Sequence, residues 1–150
     1  MSSSNRKRLR LENYDYNTDG AYFVTICTKN KENLLCKIES PLAPGDDPVI
    51  SFTALGEIVD AATQKIPGID KYSIMPNHVH MIVLQKGGKN LSTTIRLWKS
   101  VITAKAKRAI WQTSFYEHVI RDEQDYLIKW KYIDDNPFKW ASDEYYSSEE

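Results

Sequence analysis

The chain has 150 residues, 20 Lys and Arg against 20 Asp and Glu, and 41% hydrophobic residues including four tryptophans. That composition excludes a disordered chain, and no apolar run approaches the ~20 residues needed to span a bilayer. Two cysteines, Cys27 and Cys36, do not make a disulfide framework, and MSSSNRKRLRLENYDYN has no apolar signal core. The simplest expectation is one domain over residues 1–150, cytoplasmic and reduced, with no membrane contact. The neutral total conceals an uneven distribution. Arg6, Lys7, Arg8 and Arg10 cluster at the start, and residues 86–108 carry seven Lys and Arg with no acid among them. Acids collect at the other end, in Asp134, Asp135, Asp143, Glu144, Glu149 and Glu150.

Taken in chain order, AYFVTICT (21–28) is rich in aromatic and β-branched residues and predicts the first strand. SPLAPGDDP (40–48) is a loop, with a short hairpin beside it as a further reading. Thr53 caps a helix whose apolar positions are Leu55, Ile58, Val59, Ala62 and Ile66. KYSIMP and HVHMIVLQK are two adjacent strands broken near Pro76-Asn77. Ser92 is expected to cap a second helix reaching about Ile110, with Ile95, Trp98, Ile102, Ala106 and Ala109 on its apolar stripe. FYEHVIRD predicts a fourth strand. Asp122 and Asp125 then open a last helix that Pro137 stops. The order β-α-β-β-α-β-α predicts an α+β, ferredoxin-like (RRM-like) sandwich with an antiparallel sheet and an added C-terminal helix.

Strand alternation puts His78 and His80 on one face and Val79, Met81 and Val83 on the other. Two imidazoles one strand repeat apart can share a divalent cation if oxygen donors complete the set. Taken alone, an H-x-H is more often a hydrogen-bonded pair on a half-exposed face. In the last helix Tyr126, Trp130 and Ile133 form a core stripe, and Tyr132 falls off it. At about 100° per residue Tyr132 and Asn136 are neighbours on a separate stripe, a hydroxyl beside an amide. A tyrosine off the core is, by itself, more often surface decoration. Pro137 disfavours helical geometry at Asn136, so a distorted last turn is expected.

YSIMPNHVHMIV, FYEHVIRDEQDY and KYIDDNPFKW, with YDYNTDGAYFVTICTKN and LWKS, resemble the HUH single-tyrosine transposases in the same order along nearly the whole chain. The resemblance is to the REP-associated branch of the insertion-sequence 200/605 class. It implies the ferredoxin-like fold and a transposase acting as a single-strand DNA endonuclease at hairpin-flanked sites. Tyr132 matches the nucleophile, which would form a 5′-phosphotyrosine. His78 and His80 match the paired ligands of Mg²⁺ or Mn²⁺, and Asn136 stands where relatives offer a further polar ligand. The partner implied is single-stranded DNA in a hairpin-forming repeat, which would make the protein nucleoid-associated when bound. The resemblance leaves monomer and homodimer both open.

Under this reading Arg6, Lys7, Arg8 and Arg10 would grip DNA, and Arg96, Lys99 and Lys107, with Thr103, would form a phosphate track. A solvated helix face is the plainer account of that stripe. His118 carries no chemical role in this scheme and reads as a structural histidine. The rival function is a non-catalytic single-stranded nucleic-acid-binding module, since this sheet is also the RRM scaffold. Against it, no GFGFV-like stretch is present and the histidine pair goes unexplained. A water-using metal hydrolase would need acidic ligands that the histidine segment does not offer.

Overall fold

β-Branched and aromatic runs make the long strands, and the capped amphipathic segments make the helices that cover them. The computed structural model describes residues 19–39, 47–87 and 89–142. Arg6, Lys7, Arg8 and Arg10, the acidic tail from Asp143, and most of the loop predicted at 40–48 lie outside the described residues. The elements are β1 (Gly20–Cys27), β2 (Cys36–Glu39), β3 (Val49–Phe52), α1 (Ala54–Lys65), β4 (Ile69–Ile74), β5 (His78–Gln85), α2 (Leu91–Ala106), β6 (Tyr116–Val119) and α3 (Glu123–Asp135). Short 3-10 turns follow β1 at Lys29–Lys31 and α3 at Asn136–Ser142.

The main sheet has the order β4-β5-β1-β6 with every neighbour antiparallel. With α1 and α2 as crossovers and α3 appended, this is the expected ferredoxin-like α+β sandwich. β2 and β3 pair as a separate antiparallel ribbon between β1 and α1, the hairpin read as an adjunct of the loop. The break between β4 and β5 falls where Pro76-Asn77 predicted it. A turn closed by Met75 N–H donating to the His78 carbonyl at 2.9 Å reverses the chain there.

β5 is buried on both sides, which is why it reads as a near-continuous apolar run. One side of the sheet, with Val24, Ile26, Val79, Met81 and Val83, packs under α1 and α2 through Val59, Ile95, Trp98 and Ile102. The other side, with Ala21, Phe23 and Ile82, packs under α3 through Tyr126, Trp130 and Ile133. The core stripe expected for the last helix is therefore the one observed. Asp122 caps α3 by accepting from the Asp125 N–H at 2.8 Å, as the spacing indicated. Two polar contacts tie α3 to β4. Tyr126 Oη donates to Asp70 at 2.6 Å, and Lys71 Nζ pairs with Asp134 at 2.9 Å while lying 3.9 Å above the Trp130 ring.

α2 differs from expectation at both ends. Asn90, not Ser92, is its cap, its side-chain oxygen accepting from the Ser92 N–H at 2.7 Å, so the helix begins at Leu91 and Ser92 already lies inside it. The helix stops at Ala106, where Lys107 turns left-handed at φ 61° and its N–H closes on the Thr103 carbonyl. Ala109 thus falls outside the helix and is exposed.

Gly56 lies in the first turn of α1, where its N–H donates to the Thr53 hydroxyl at 3.0 Å. The Leu35 backbone carbonyl accepts hydrogen bonds from Thr53 and crowds this turn. A Cβ on Gly56 would stand 1.9 Å from that carbonyl oxygen. Alanine normally favours a helix over glycine by about 1 kcal/mol. Here overlap with fixed backbone wins, so Gly56→Ala should destabilise the protein by roughly 1–3 kcal/mol. Denaturant unfolding checks this, and a gain in stability would mean the β1–β2 connection yields.

Candidate active site

β5 carries His78 and His80 to the face beneath α3, and both rings are buried. The half-exposed pair of the plainer expectation is not what forms. Their Nε2 atoms lie 3.1 Å apart. Burial holds both rings far below the usual imidazole range, to a pKa of about 2 for His78, where His80 and Lys31 add repulsion, and about 3 for His80. Both are therefore neutral at physiological pH.

The partners of the other ring nitrogens decide where the lone pairs point. His78 Nδ1 lies 2.8 Å from Asn77 Oδ1, an acceptor, so Nδ1 carries the proton and Nε2 is bare. His80 Nδ1 lies 2.8 Å from the buried hydroxyl of Thr25, its direct cross-strand partner on β1. A hydroxyl donates or accepts. When Thr25 donates, His80 Nε2 carries a proton and bonds to His78. When Thr25 accepts, both Nε2 lone pairs converge on one point.

The second arrangement suits a cation. Imidazole nitrogens bind divalent ions at ~2.0–2.1 Å, which sets adjacent donors from ~2.8 Å apart in octahedral geometry to ~3.4 Å in tetrahedral geometry. The observed separation falls in that interval. Asn136 Oδ1 is buried and makes no hydrogen bond. Among the described residues no three His, Cys, Asp or Glu side chains converge on a metal. A cation bound by the histidine pair would meet two neutral nitrogens. Asn136 keeps right-handed helical geometry (φ −56°, ψ −45°) despite Pro137, and the chain tightens into the 3-10 turn without reversing.

The rings of the C-terminal segment close over the histidines. Tyr132 meets His80 edge-on at 5.3 Å between centroids and Phe23 at 5.8 Å, while Phe23 stacks on His80 at 5.3 Å. Trp140 lies 6.2 Å from His78. Asn136 falls midway in the chain between the two residues that touch the two imidazoles. Tyr132 remains 41% exposed and lines an open cleft of about 490 Å³ with Phe23, Thr25, His80, Tyr116, Ile128 and Lys129. Its position off the core stripe is what leaves it there.

The structure thus brings Tyr132, His78 and His80 together. It does not bring the helical basic residues to them, because α2 covers the opposite side of the sheet. Arg96 is exposed. Lys99 donates to the carbonyls of Gln112 at 2.8 Å and Thr113 at 3.3 Å, and its partial burial lowers its pKa. Lys107 leaves the helix at its left-handed turn, so the expected continuous stripe ends at Thr103. His118, 2.8 Å from Asp125, is a satisfied histidine as anticipated. Sequence reasoning missed Thr25, Phe23 and Trp140, whose roles depend on register and on the path after Pro137. Asn77 was within reach, standing next to His78.

No protein-family model matches the chain. It is 33% identical to an uncharacterized protein of Haemophilus influenzae over 94% of this chain and 93% of that one. It is 37% identical over 73 residues to a REP-associated tyrosine transposase of Escherichia coli, covering 47% of this chain and 44% of the relative. It also resembles the solved structure of a REP-associated tyrosine transposase bound to a REP hairpin, with a TM-score of 0.61 and 27% identity. That match covers 80% of this chain and 67% of the other. The fold and site define a ferredoxin-like domain that buries a neutral histidine pair beneath a tyrosine-bearing helix. The chain is similar to REP-associated tyrosine transposases, and that homology supports a transposase role. Among the described residues no helix is long and apolar enough to cross a membrane.

The buried histidines make stability depend on pH with a defined sign. Their folded-state pKa values lie below the unfolded value near 6.5, so only the unfolded chain takes up protons as pH falls. Their contribution is whole above about pH 6.5 and is lost progressively below it. The metal-free protein should lose on the order of 1 kcal/mol per pH unit for each ring between about pH 6 and pH 4. Urea unfolding across that range checks this. A slope no steeper than that of the His78→Gln/His80→Gln double variant would mean the rings are hydrated.

Proposed function

We propose that this protein cuts and rejoins single-stranded DNA, with Tyr132 as the nucleophile and a divalent cation held by His78, His80 and Asn136. The observation that carries this reading is the convergence of three groups. A phenol that remains accessible lies directly against one of two neutral imidazoles whose Nε2 atoms can face a common point. A structural histidine pair would not need a tyrosine held open above it.

The chemistry follows from the residues. Tyr132 Oη attacks the phosphorus, the bond from phosphorus to the 3′ oxygen breaks, and the phenol proton leaves to solvent. The 3′ oxygen takes up a proton, giving a 3′-hydroxyl and a 5′-phosphotyrosine that conserves the ester bond for rejoining. Mg²⁺ or Mn²⁺, when bound, supplies Lewis-acid polarisation of the scissile phosphate. Asn77 holds His78 with its Nε2 lone pair bare, and Thr25, when it accepts from His80 Nδ1, leaves the second Nε2 lone pair available as well. Phe23 and Trp140 wall the imidazoles from water, which keeps them neutral.

The similarity to a transposase bound to a REP hairpin supports hairpin-forming single-stranded DNA as substrate. Arg96, exposed on α2, and Arg6, Lys7, Arg8 and Arg10 remain the cations proposed to hold the flanking DNA. Lys99 is a weaker member of that set, being engaged with two carbonyls.

Tyr132→Phe removes one oxygen from a partly exposed ring, so stability should change by less than roughly 1 kcal/mol. Hairpin binding should persist while covalent attachment in Mn²⁺ disappears. Mass spectrometry of the digested wild-type adduct should find the phosphate on Tyr132, and finding it on another tyrosine overturns the assignment. Tyr126→Phe is an instructive control. It strands the Asp70 carboxylate and should cost stability, yet still form the adduct.

A separate measurement addresses the cation. Asn136→Ala should weaken Mn²⁺ binding on the order of 10-fold or more in calorimetry, and His78→Ala or His80→Ala should abolish it and cleavage with it. Unchanged Mn²⁺ affinity in Asn136→Ala would remove that residue from the ligand set.

A further inference from the structure

We infer that Tyr116 is a stacking platform that holds a DNA base next to the scissile phosphate. The inference deepens the cleavage reading and rests on it for the position of the phosphate. Tyr116 begins the edge strand β6 and is directly opposite Thr25, which is itself directly opposite His80. Cross-strand partners in an antiparallel sheet project to the same face. His80, Thr25 and Tyr116 therefore form one row across three strands, with Tyr116 about 10 Å from His80, two strand spacings away.

The Tyr116 ring is 57% exposed, and among the described residues it has no hydrogen-bond or ring partner. A lone exposed aromatic needs no explanation, but this one is not alone. Tyr116, Ile128 (56% exposed) and Tyr132 all line the cleft over His80. The only charged side chain among the described residues of that lining is Lys129, whose Nζ lies 3.5 Å from the Asp125 carboxylate just outside it. An aromatic and an aliphatic surface beside a cation fit a nucleotide, whose base presents a π-face and whose phosphate is negative.

The row also sets a direction. A phosphate at the histidines and Tyr132 leaves the adjoining base over β6, where Tyr116 offers an exposed aromatic surface, whereas Phe23 is buried against His80. Stacking is indifferent to base identity, so Tyr116 would confer affinity and register without sequence preference. It is a positioning residue, and the Tyr132 chemistry does not require its hydroxyl.

The test uses the full chain in EDTA at low salt, so that no cleavage is involved, with a short oligothymidylate carrying one internal 2-aminopurine. Wild-type protein should quench the fluorophore by stacking. Tyr116→Ala should abolish most of the quenching and weaken binding roughly 10-fold. Tyr116→Phe and Tyr116→Trp should restore both, which a role in folding or hydrogen bonding would not produce. Undiminished quenching and affinity in Tyr116→Ala, or no quenching by wild type, overturns the platform. Adduct formation by wild type in Mn²⁺, measured separately, reports on the cleavage reading alone. Loss of quenching in Tyr116→Ala supports the platform even if no adduct forms.

Discussion

The register between β1 and β5 is the constraint on which the rest of the site depends. Eight consecutive pairs run from Gly20 opposite Gln85 to Cys27 opposite His78. A slip of one residue would turn every side chain of β5 to the opposite face. The histidines would then enter the layer occupied by Trp98, Ile95 and Val59, and Val79 and Met81 would face α3. Apolar alternation on both strands makes that slip costly, so hydrophobic packing fixes the imidazole positions. The same register brings the Thr25 hydroxyl to His80, and Thr25 pairs with Tyr116 on its other side. One ladder thus aligns the histidine pair, the hydroxyl beside it and the edge aromatic.

Burial gives the pair its chemistry. A hydrated imidazole is partly protonated near neutral pH and then cannot bind a cation, whereas these rings stay neutral. That state depends on α3 and the turn after it, because Tyr132 and Trp140 lie against the rings. The buried, unpartnered oxygen of Asn136 belongs to the same arrangement. Leaving such an atom without a hydrogen bond costs about 1–3 kcal/mol.

Much of this was legible in the sequence. Strand alternation gave the shared face of His78 and His80, and helical periodicity separated Tyr132 from Tyr126, Trp130 and Ile133. The order of the elements gave the ferredoxin-like fold. What was not legible depends on contacts between distant segments. No local signal says that Thr25 would pair with His80 or that Trp140 would return to His78 after Pro137. The cap of α2 was misplaced by two residues because Asn90 and Ser92 are both good capping types. The left-handed turn at Lys107 was hidden because nothing but the lack of glycine or proline marks residues 103–110. The basic stripe failed as a continuous track for a related reason. Charge is visible in sequence, but the carbonyls of Gln112 and Thr113 that engage Lys99 are not.

The attachment of α3 has a consequence for how the protein breathes. The helix is fastened at both edges of the sheet, to β4 by Tyr126 to Asp70 and by Lys71 to Asp134 and Trp130, and to β6 by Asp125 to His118, with Ala21, Phe23 and Ile82 beneath it. A helix held in this way can open as a unit while the layer under α1 and α2 stays closed. Such an opening would carry the phenol away and admit water to both imidazoles in the same event. Because these losses share one cause, partly open molecules would not retain part of the site. Amide exchange along α3 would then measure the fraction of molecules with a complete site at any moment, and hydrogen bonds far from the cleft would govern that fraction.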